Sequence, residues 1–298
     1  MTRTVAKRLG GLAVLDGIVL MVLAVNLFPV SDASSKYLTR DYHVLQILWA
    51  RNLGQLVVMA AILARQGGTL FRSRKIGLQA LRGVLVLLST IFMLGALAYL
   101  PLVEAIAISF AYPLFIVALS VPLLRERVGR YRWTAVLVGM AGVLVVMRPG
   151  LGVVHWAASL ALLSALAGAL FQIASRALSG IDDARTTLLY SAAIGFALLS
   201  PAMIFVWTDI DWIGAAWRVA TALVYSLASY AMIRAFDFAP ASTLAPLAYT
   251  QVLSAAAIGY FFFDDTPDYW TVLGLAIVTG AGLYVAHRER VRARGTPS

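Results

Sequence analysis

The sequence predicts an all-α integral membrane protein, with ten transmembrane helices arranged as two inverted five-helix repeats. Three observations lead there. The first is composition: of 298 residues, 61% are hydrophobic and 13% charged, and mean hydropathy is +0.85. A soluble domain carries about 25% charged residues, and a water-soluble fold would lack the polar surface to cover so much apolar material. The second is a succession of apolar runs, each close to the ~20 residues a helix needs to cross a hydrocarbon core ~30 Å thick. The third is an internal repeat, described below.

In chain order the runs fall near 12–36, 42–64, 76–99, 102–124, 131–147, 153–176, 186–207, 214–236, 240–262 and 269–287. The first follows Arg3, Lys7 and Arg8 and resembles a signal peptide at its start. It is too long for one and is followed by many others, so it reads as a retained first span. Connections are short and leave no room for a soluble domain. With the N-terminus in the cytoplasm, nineteen of the 24 Lys and Arg fall on inside segments. Four fall outside (Lys36, Arg40, Arg148, Arg218), and Arg51 lies within a span. This asymmetry places both termini in the cytoplasm, with 289–298 as a basic tail.

The stretch from Tyr99 to Gly150 recurs, weakly, from Phe238 to Val285 at an offset of about 139 residues. Pro101 matches Pro240, Glu126 matches Asp264 or Asp265, Trp133 matches Trp270, and Ala141-Gly142 matches Ala281-Gly282. The offset covers five spans, an odd number, so the second copy crosses the membrane in the opposite sense. The loops agree: the knot at 125–132 carries four arginines, and its counterpart Asp264–Asp268 carries no Lys or Arg. The halves are 12–150 and 151–288. Inverted duplication suits a carrier, because two near-equivalent halves give two states of similar energy, one open to each side.

Three motifs carry a family resemblance in the first half: Tyr-Leu-Pro-Leu-Val-Glu-Ala at 99–105, Arg-Glu-Arg-Val-Gly-Arg-Tyr-Arg-Trp at 125–133, and Gly-Met-Ala-Gly-Val-Leu-Val-Val-Met-Arg-Pro-Gly at 139–150. They resemble the first EamA-type repeat of the drug/metabolite transporter superfamily. Ala-Pro-Ala-Ser at 239–242, Trp270 and Gly-Ala-Gly-Leu-Tyr-Val at 280–285 resemble the second. The resemblance runs from about residue 12 to 288 and implies a secondary carrier of small metabolites in a bacterial inner membrane. Segments 31–38 and 46–53 resemble members described as S-adenosylmethionine uptake or generic EamA transporters. Asp264-Asp265 departs from the Gly-Glu usual in that loop, a change expected to affect a loop and not the substrate site.

An ionisable side chain at membrane depth costs roughly 2.5–3.5 kcal/mol on insertion scales, so each needs a reason. Arg51, some nine residues into the second span beside Trp49, is the clearest. It is either an anchor for an anionic substrate group or a helix-to-helix lock with Asp32, which lies at similar depth. Asp32 is in turn a candidate proton-coupling carboxylate or a solvated one. Asp16 reads as solvated or capping. Glu104, in the first turn after Pro101, suits the positive end of the helix dipole. Polar and aromatic candidates near mid-depth are Asn26, Tyr112, Gln172, Tyr225, Tyr230, Tyr249 and Gln251. Tyr112 and Gln251 occupy corresponding places in the two copies, the best internal argument that both line a shared pathway. Each of these side chains has the alternative of simply bonding a neighbouring helix, at ~0.6 kcal/mol on average. Pro113 and Pro246 free backbone carbonyls at the same depth and read as hinges or kinks.

The substrate-binding set expected is therefore Asn26, Asp32, Trp49, Arg51, Tyr112, Gln172, Tyr230, Tyr249 and Gln251. With no cysteine, no thiolate metal site or disulfide can form. Neither a metal nor a cofactor is expected, and the basic charge reads as topology and not as nucleic-acid binding. The histidines (His43, His155, His287) are scattered, and neither a nucleophile motif nor a phosphate-binding loop occurs, which argues against an enzyme or an ATP-driven pump. The expected partners are lipid and a small polar or zwitterionic metabolite such as an amino acid or S-adenosylmethionine. Protons and a second copy of the chain are further candidates. The rival readings are an exporter with no dedicated substrate and a non-transport receptor.

Overall fold

The computed structural model describes residues 2–64, 73–124, 130–148, 156–178, 181–239 and 241–295. The basic knot at 125–129, Arg65, Arg72, His155, Pro240 and the junction of the two halves at 149–155 lie outside the described residues. Among these residues every regular element is a helix. In order they are α1 (Thr2–Leu38), α2 (Val44–Ala64), α3 (Ile76–Leu97), α4 (Leu102–Ser109), α5 (Tyr112–Leu124), α6 (Arg130–Met147) and α7 (Ala157–Leu178). There follow α8 (Ala184–Leu199), α9 (Met203–Val206), α10 (Trp212–Phe238), α11 (Ala241–Leu244), α12 (Gln251–Phe263) and α13 (Tyr269–Gly295).

Among the described residues seven stretches are long and apolar enough to cross a membrane: Val14–Leu38, Val44–Ile62, Ile76–Leu97, Leu102–Leu123, Ala157–Leu178, Arg185–Val206 and Trp212–Phe238. Trp133–Met147, Leu247–Phe263 and Tyr269–Tyr284 are shorter apolar helices. Three of the apolar runs are broken. Proline is the local cause, since it removes a backbone donor and clashes with the preceding turn. Pro113 follows the break between α4 and α5, where the Leu114 and Phe115 amides both donate to the Ala111 carbonyl at 3.0 Å. A 3₁₀ turn at Ser200–Ala202 with Pro201 joins α8 to α9, and a longer one, Ala245–Thr250 with Pro246, leads into α12.

The main packed pairs join the first half of the chain to the second: α1 with α10, α3 with α7, α2 with α8, and α6 with α13. Small residues permit this, because close backbone approach drives helix association where lipid competes for apolar side chains. The tightest crossing is α6 on α13. A Cβ built on Gly274 would stand 2.6 Å from the Gly142 carbonyl oxygen, and one on Gly142 would stand 2.9 Å from that of Gly274. Buried core residues include Leu97, Leu102, Ile108, Phe110 and Val143. Large apolar side chains such as Phe205, Leu253, Phe261 and Phe262 point outward, as expected where lipid is the solvent.

Charged and polar groups tie the helix ends. At one end, Lys36 donates to Asp265 Oδ2 at 2.9 Å and to the Leu100 carbonyl at 2.8 Å, and Arg148 pairs with Asp268. The Asp264-Asp265 departure thus sits in a loop, with Asp264 in the left-handed region at φ 55°, and Asp265 pins the loop to α1. At the same end Tyr42 donates to Asp211 Oδ1 at 2.6 Å, and Arg218, counted above as a loop charge, is buried with its guanidinium 3.8 Å from the Tyr42 ring. At the other end Asp182 accepts from the Ser73 hydroxyl at 2.5 Å, the Arg74 amide at 3.0 Å and Gln79 Nε2 at 2.8 Å.

The crossing predicts a sharp contrast between two glycines of α13. Gly274→Val forces two backbones apart and is expected to cost about 1–3 kcal/mol, the range for overpacking. Gly280→Ala meets nothing within 4 Å and should be neutral or stabilising by up to about 1 kcal/mol. Thermal unfolding of the detergent-purified variants measures both.

Candidate functional site

Two contiguous chambers open between the halves. The first, of about 250 Å³, is bounded by α1, α2, α3, the α4–α5 break, α7, α10 and the start of α12. The second, of about 220 Å³, continues along α2, α3, α7, α8 and α10. Phe28, Arg51, Val86, Thr90, Phe171 and Tyr225 line both, so Arg51 stands at the junction.

The helix breaks face the first chamber. Tyr112 is the first residue of α5 and Gln251 the first of α12. Both line this chamber together with Asp32, Pro29 and Ser109. Irregular backbone at membrane depth is tolerated where it lines a cavity, because groups freed from the helix ladder can find other partners there. Pro113 cannot donate to the carbonyl of Ser109, and that residue lies on the cavity wall.

Arg51 is 5% exposed. Its guanidinium lies 4.2 Å from the Tyr225 ring, and Nη1 is 4.0 Å from Asp32 Oδ1. That distance is an ion pair without a hydrogen bond. No hydrogen bond from Arg51 to protein occurs among the described residues. A buried cation in this state lacks most of the interactions that offset its desolvation. Tyr225, on α10, supplies a ring face, and Asp32, on α1, supplies a nearby opposite charge.

Arg82, on α3, lines the second chamber. Counting it as a cytoplasmic loop charge missed this: it is buried, 4.5 Å from the Phe171 ring. Nε donates to Ser175 Oγ at 2.7 Å, and Nη1 donates to the Thr187 carbonyl at 3.0 Å and Ser191 Oγ at 2.6 Å. The available signal was an arginine seven residues inside an apolar run. Gln172 lines the same chamber with Asn52 and Gln55.

Of the nine expected binding residues, the structure brings Asp32, Arg51, Tyr112, Gln172 and Gln251 onto this cavity. Four lie elsewhere. Asn26 donates to the Val22 carbonyl at 2.7 Å and to Thr250 Oγ1 at 3.1 Å, joining α1 to the 3₁₀ turn before α12. Trp49 Nε1 donates to Ser200 Oγ at 3.0 Å, and its ring packs on Phe196 and Trp207. Tyr230 packs beside Met59 and Leu189 and borders an outward-facing groove with Asp16 and Arg234. Tyr249 stacks on Phe110 at 5.0 Å and fills the space left by Gly282, where an added Cβ would overlap its hydroxyl. Asp16 is exposed on α1.

Residues 15–148 match the EamA-like transporter family. The chain carries an EamA-like domain of the drug/metabolite transporter superfamily over its first half. It is 25% identical to the S-adenosylmethionine uptake transporter of Rickettsia prowazekii (strain Madrid E), over 93% of this chain and 94% of that protein. It is 26% identical to the pseudopaline exporter CntI of Pseudomonas aeruginosa (strain UCBPP-PA14), over 92% and 97%. It is 27% identical to the riboflavin transporter of Rhizobium johnstonii, over 72% and 71%. A crystal structure shares the fold at TM-score 0.64 and 18% identity, covering 94% of this chain and 98% of that one. This EamA-type chain is thus a multi-pass membrane protein and a small-metabolite transporter, not an enzyme. Among the described residues no group of three His, Cys, Asp or Glu stands placed to hold a metal ion.

The end contacts of the EamA-type fold give a pH prediction. Asp182 is held below the usual carboxylate range, chiefly by the Ser73 hydroxyl and then by the Arg74 amide. Folding therefore favours the ionised form. The stabilisation is present above about pH 4, the ordinary aspartate value, and is lost as pH falls through the lower folded-state value. Asp182→Asn should melt below wild type at pH 7, and the gap should hold down to about pH 4 and close beneath it, as read from unfolding midpoints across pH.

Proposed function

We propose that the chain is a secondary transporter that moves a small polar or zwitterionic metabolite, in the class of amino acids, S-adenosylmethionine and related compounds, by alternating access. The moving parts are two inverted five-helix repeats, 12–150 and 151–288, with ten crossings. Both termini lie on the cytoplasmic side of a bacterial inner membrane. Asp32, Arg51, Tyr112, Gln172 and Gln251, together with Tyr225, bind substrate in the central cavity.

The observation that carries this reading is Arg51: buried where the two chambers meet, resting on one ring, and making no hydrogen bond to protein among the described residues. An anionic substrate group would supply the missing acceptors in a planar fork, and Asp32, 4.0 Å away, would face the substrate's cationic centre. The packing supports the repeat. Exchanging the first-half helices for their second-half counterparts turns α1–α10 into α7–α3 and maps α2–α8 and α6–α13 onto themselves, and all four pairs are packed. Names borne by relatives support the breadth of the substrate class: an S-adenosylmethionine uptake transporter, a pseudopaline exporter and a riboflavin transporter.

Protein reconstituted in liposomes, assayed by counterflow against labelled amino acids, nucleosides and S-adenosylmethionine with and without a pH gradient, tests the reading. Arg51→Gln is expected to lower transport of the accepted substrate about 10- to 100-fold, the worth of a charged hydrogen bond of ~1.5–3 kcal/mol. Tyr230→Phe, away from the cavity, should stay within about twofold. Full transport by Arg51→Gln removes the anchor. The natural chain has no cysteine, so single cysteines at either end report topology directly. Labelling of the two ends from opposite sides would overturn the ten-span arrangement.

A further inference from the structure

The two chambers contain three charged side chains: Asp32 in the first, Arg82 in the second, and Arg51 in both. Resting on the carrier reading above, we propose that Arg82 is a second anion anchor, and that the substrate is an amphoteric metabolite with one amine and two carboxylates.

Charge balance is the first argument. A cavity lined by two cations and one anion carries net positive charge in a low-dielectric surrounding, where uncompensated charge is costly. A ligand with two acid groups and one amine, net −1, neutralises it; a simple zwitterion leaves one cation unmatched. The order of the groups also fits. Asp32 belongs to the first chamber, Arg51 to the junction and Arg82 to the second. An amine facing Asp32, one carboxylate on Arg51 and a second on Arg82 would follow the line of the cavity.

The second argument is how Arg82 is held. Its three hydrogen bonds use Nε and Nη1. Ser175 and Ser191 spend their own hydroxyl protons on the Phe171 and Thr187 carbonyls at 2.7 and 2.9 Å, which turns both oxygens into acceptors aimed at the guanidinium. The Phe171 ring, itself on the cavity wall, supports the guanidinium at 4.5 Å. These contacts fix Arg82 and leave Nη2 without a protein partner among the described residues. Arg82 is thus a pre-set donor with one amino group to offer, suited to a carboxylate; a phosphate would call for more donors. Arg51 has its whole fork to give.

The test compares amine-bearing diacids with their size-matched ω-amides: aspartate with asparagine, glutamate with glutamine, and 2-aminoadipate and an N-(1-carboxyethyl) amino acid with their amides. Binding is read as the rise in unfolding temperature of detergent-purified protein, which needs neither a membrane nor a gradient. At least one diacid should bind the wild type about 10-fold more tightly than its amide. In Arg82→Gln that ratio should fall below about twofold. Arg82→Lys, which keeps a charge but loses the guanidinium geometry, should give an intermediate ratio. A merely structural Arg82 would lower the stability of the empty protein and leave the diacid-to-amide ratio as it was.

A wild-type panel in which no diacid outbinds its amide overturns the inference, and so does a ratio that survives Arg82→Gln. Should Arg82→Gln fail to fold, the wild-type panel and Arg82→Lys still decide. Failure of the carrier reading is distinguishable: diacid binding without counterflow sinks transport and keeps the two-anchor site. Counterflow of a mono-acid with no diacid preference sinks the second anchor and keeps transport.

Discussion

In hydrocarbon, backbone donors and acceptors have no water to turn to, so a chain can leave the helix only where something else receives them. This constraint shapes the whole molecule. Most of the chain obeys it by staying helical. Among the described residues the breaks in the apolar runs are the short 3₁₀ turn at Ser200–Ala202 and, beside the cavity, the α4–α5 break and the 3₁₀ turn before α12. The last two open toward a polar cavity wall or a side-chain partner. Ser109 and Tyr112 stand on the cavity, and Thr250 Oγ1 accepts from Asn26. The cavity is therefore where the fold tolerates irregularity, and the residues that begin the resumed helices, Tyr112 and Gln251, face it.

The same low dielectric sorts the buried arginines. Arg218 sits on the Tyr42 ring, whose hydroxyl is committed to Asp211, with its guanidinium nitrogens buried and without a hydrogen-bond partner among the described residues. Arg82 is enclosed by two hydroxyls, a carbonyl and a ring. Arg51 has a ring and a loose ion pair. These are three settings for one kind of charge, and Arg51, which makes no hydrogen bond to protein among the described residues, is the one at the junction of the chambers. Small residues add to the joining of the halves where Gly142 and Gly274 bring α6 and α13 into close backbone approach, while polar ties such as Arg148 with Asp268 and Lys36 with Asp265 stand at the helix ends.

Much of this was legible in the sequence, and the parts that were not have physical causes. Apolar runs marked the helices because lipid demands them. Pro113 and Pro246 marked the breaks because proline cannot serve the ladder. Arg51 announced itself by its cost. Trp49 and Arg51, both expected on the site, part on geometry: residues two apart on a helix face different ways, so Arg51 lines the cavity while Trp49 packs on Phe196 and Trp207. The two-residue spacing divides Tyr249 from Gln251 in the same manner, with Tyr249 against Phe110 and Gln251 on the cavity. Arg82 was hidden by bookkeeping that assigned every arginine near a span end to a loop. Hydropathy averages over a window and does not register that Ser175, Ser191 and the Thr187 carbonyl, from two other helices, converge on that one guanidinium.

On the proposed reading, the weak pairing of Arg51 has a consequence for the transport cycle. A guanidinium fully bonded to protein would hold the halves together and offer little to a ligand. One with no neighbouring carboxylate would be too costly to carry through a closed state without substrate. Asp32 at 4.0 Å lies between these extremes. It neutralises Arg51 across a gap that a direct hydrogen bond has not yet closed, so a substrate acid can take over the donors without first breaking a tight pair. Specificity then comes from what an unsuitable ligand leaves unpaired more than from what a good one adds, because the penalty for a stranded buried charge exceeds the net worth of the bond that relieves it. A cavity of this kind selects by charge pattern before it selects by shape.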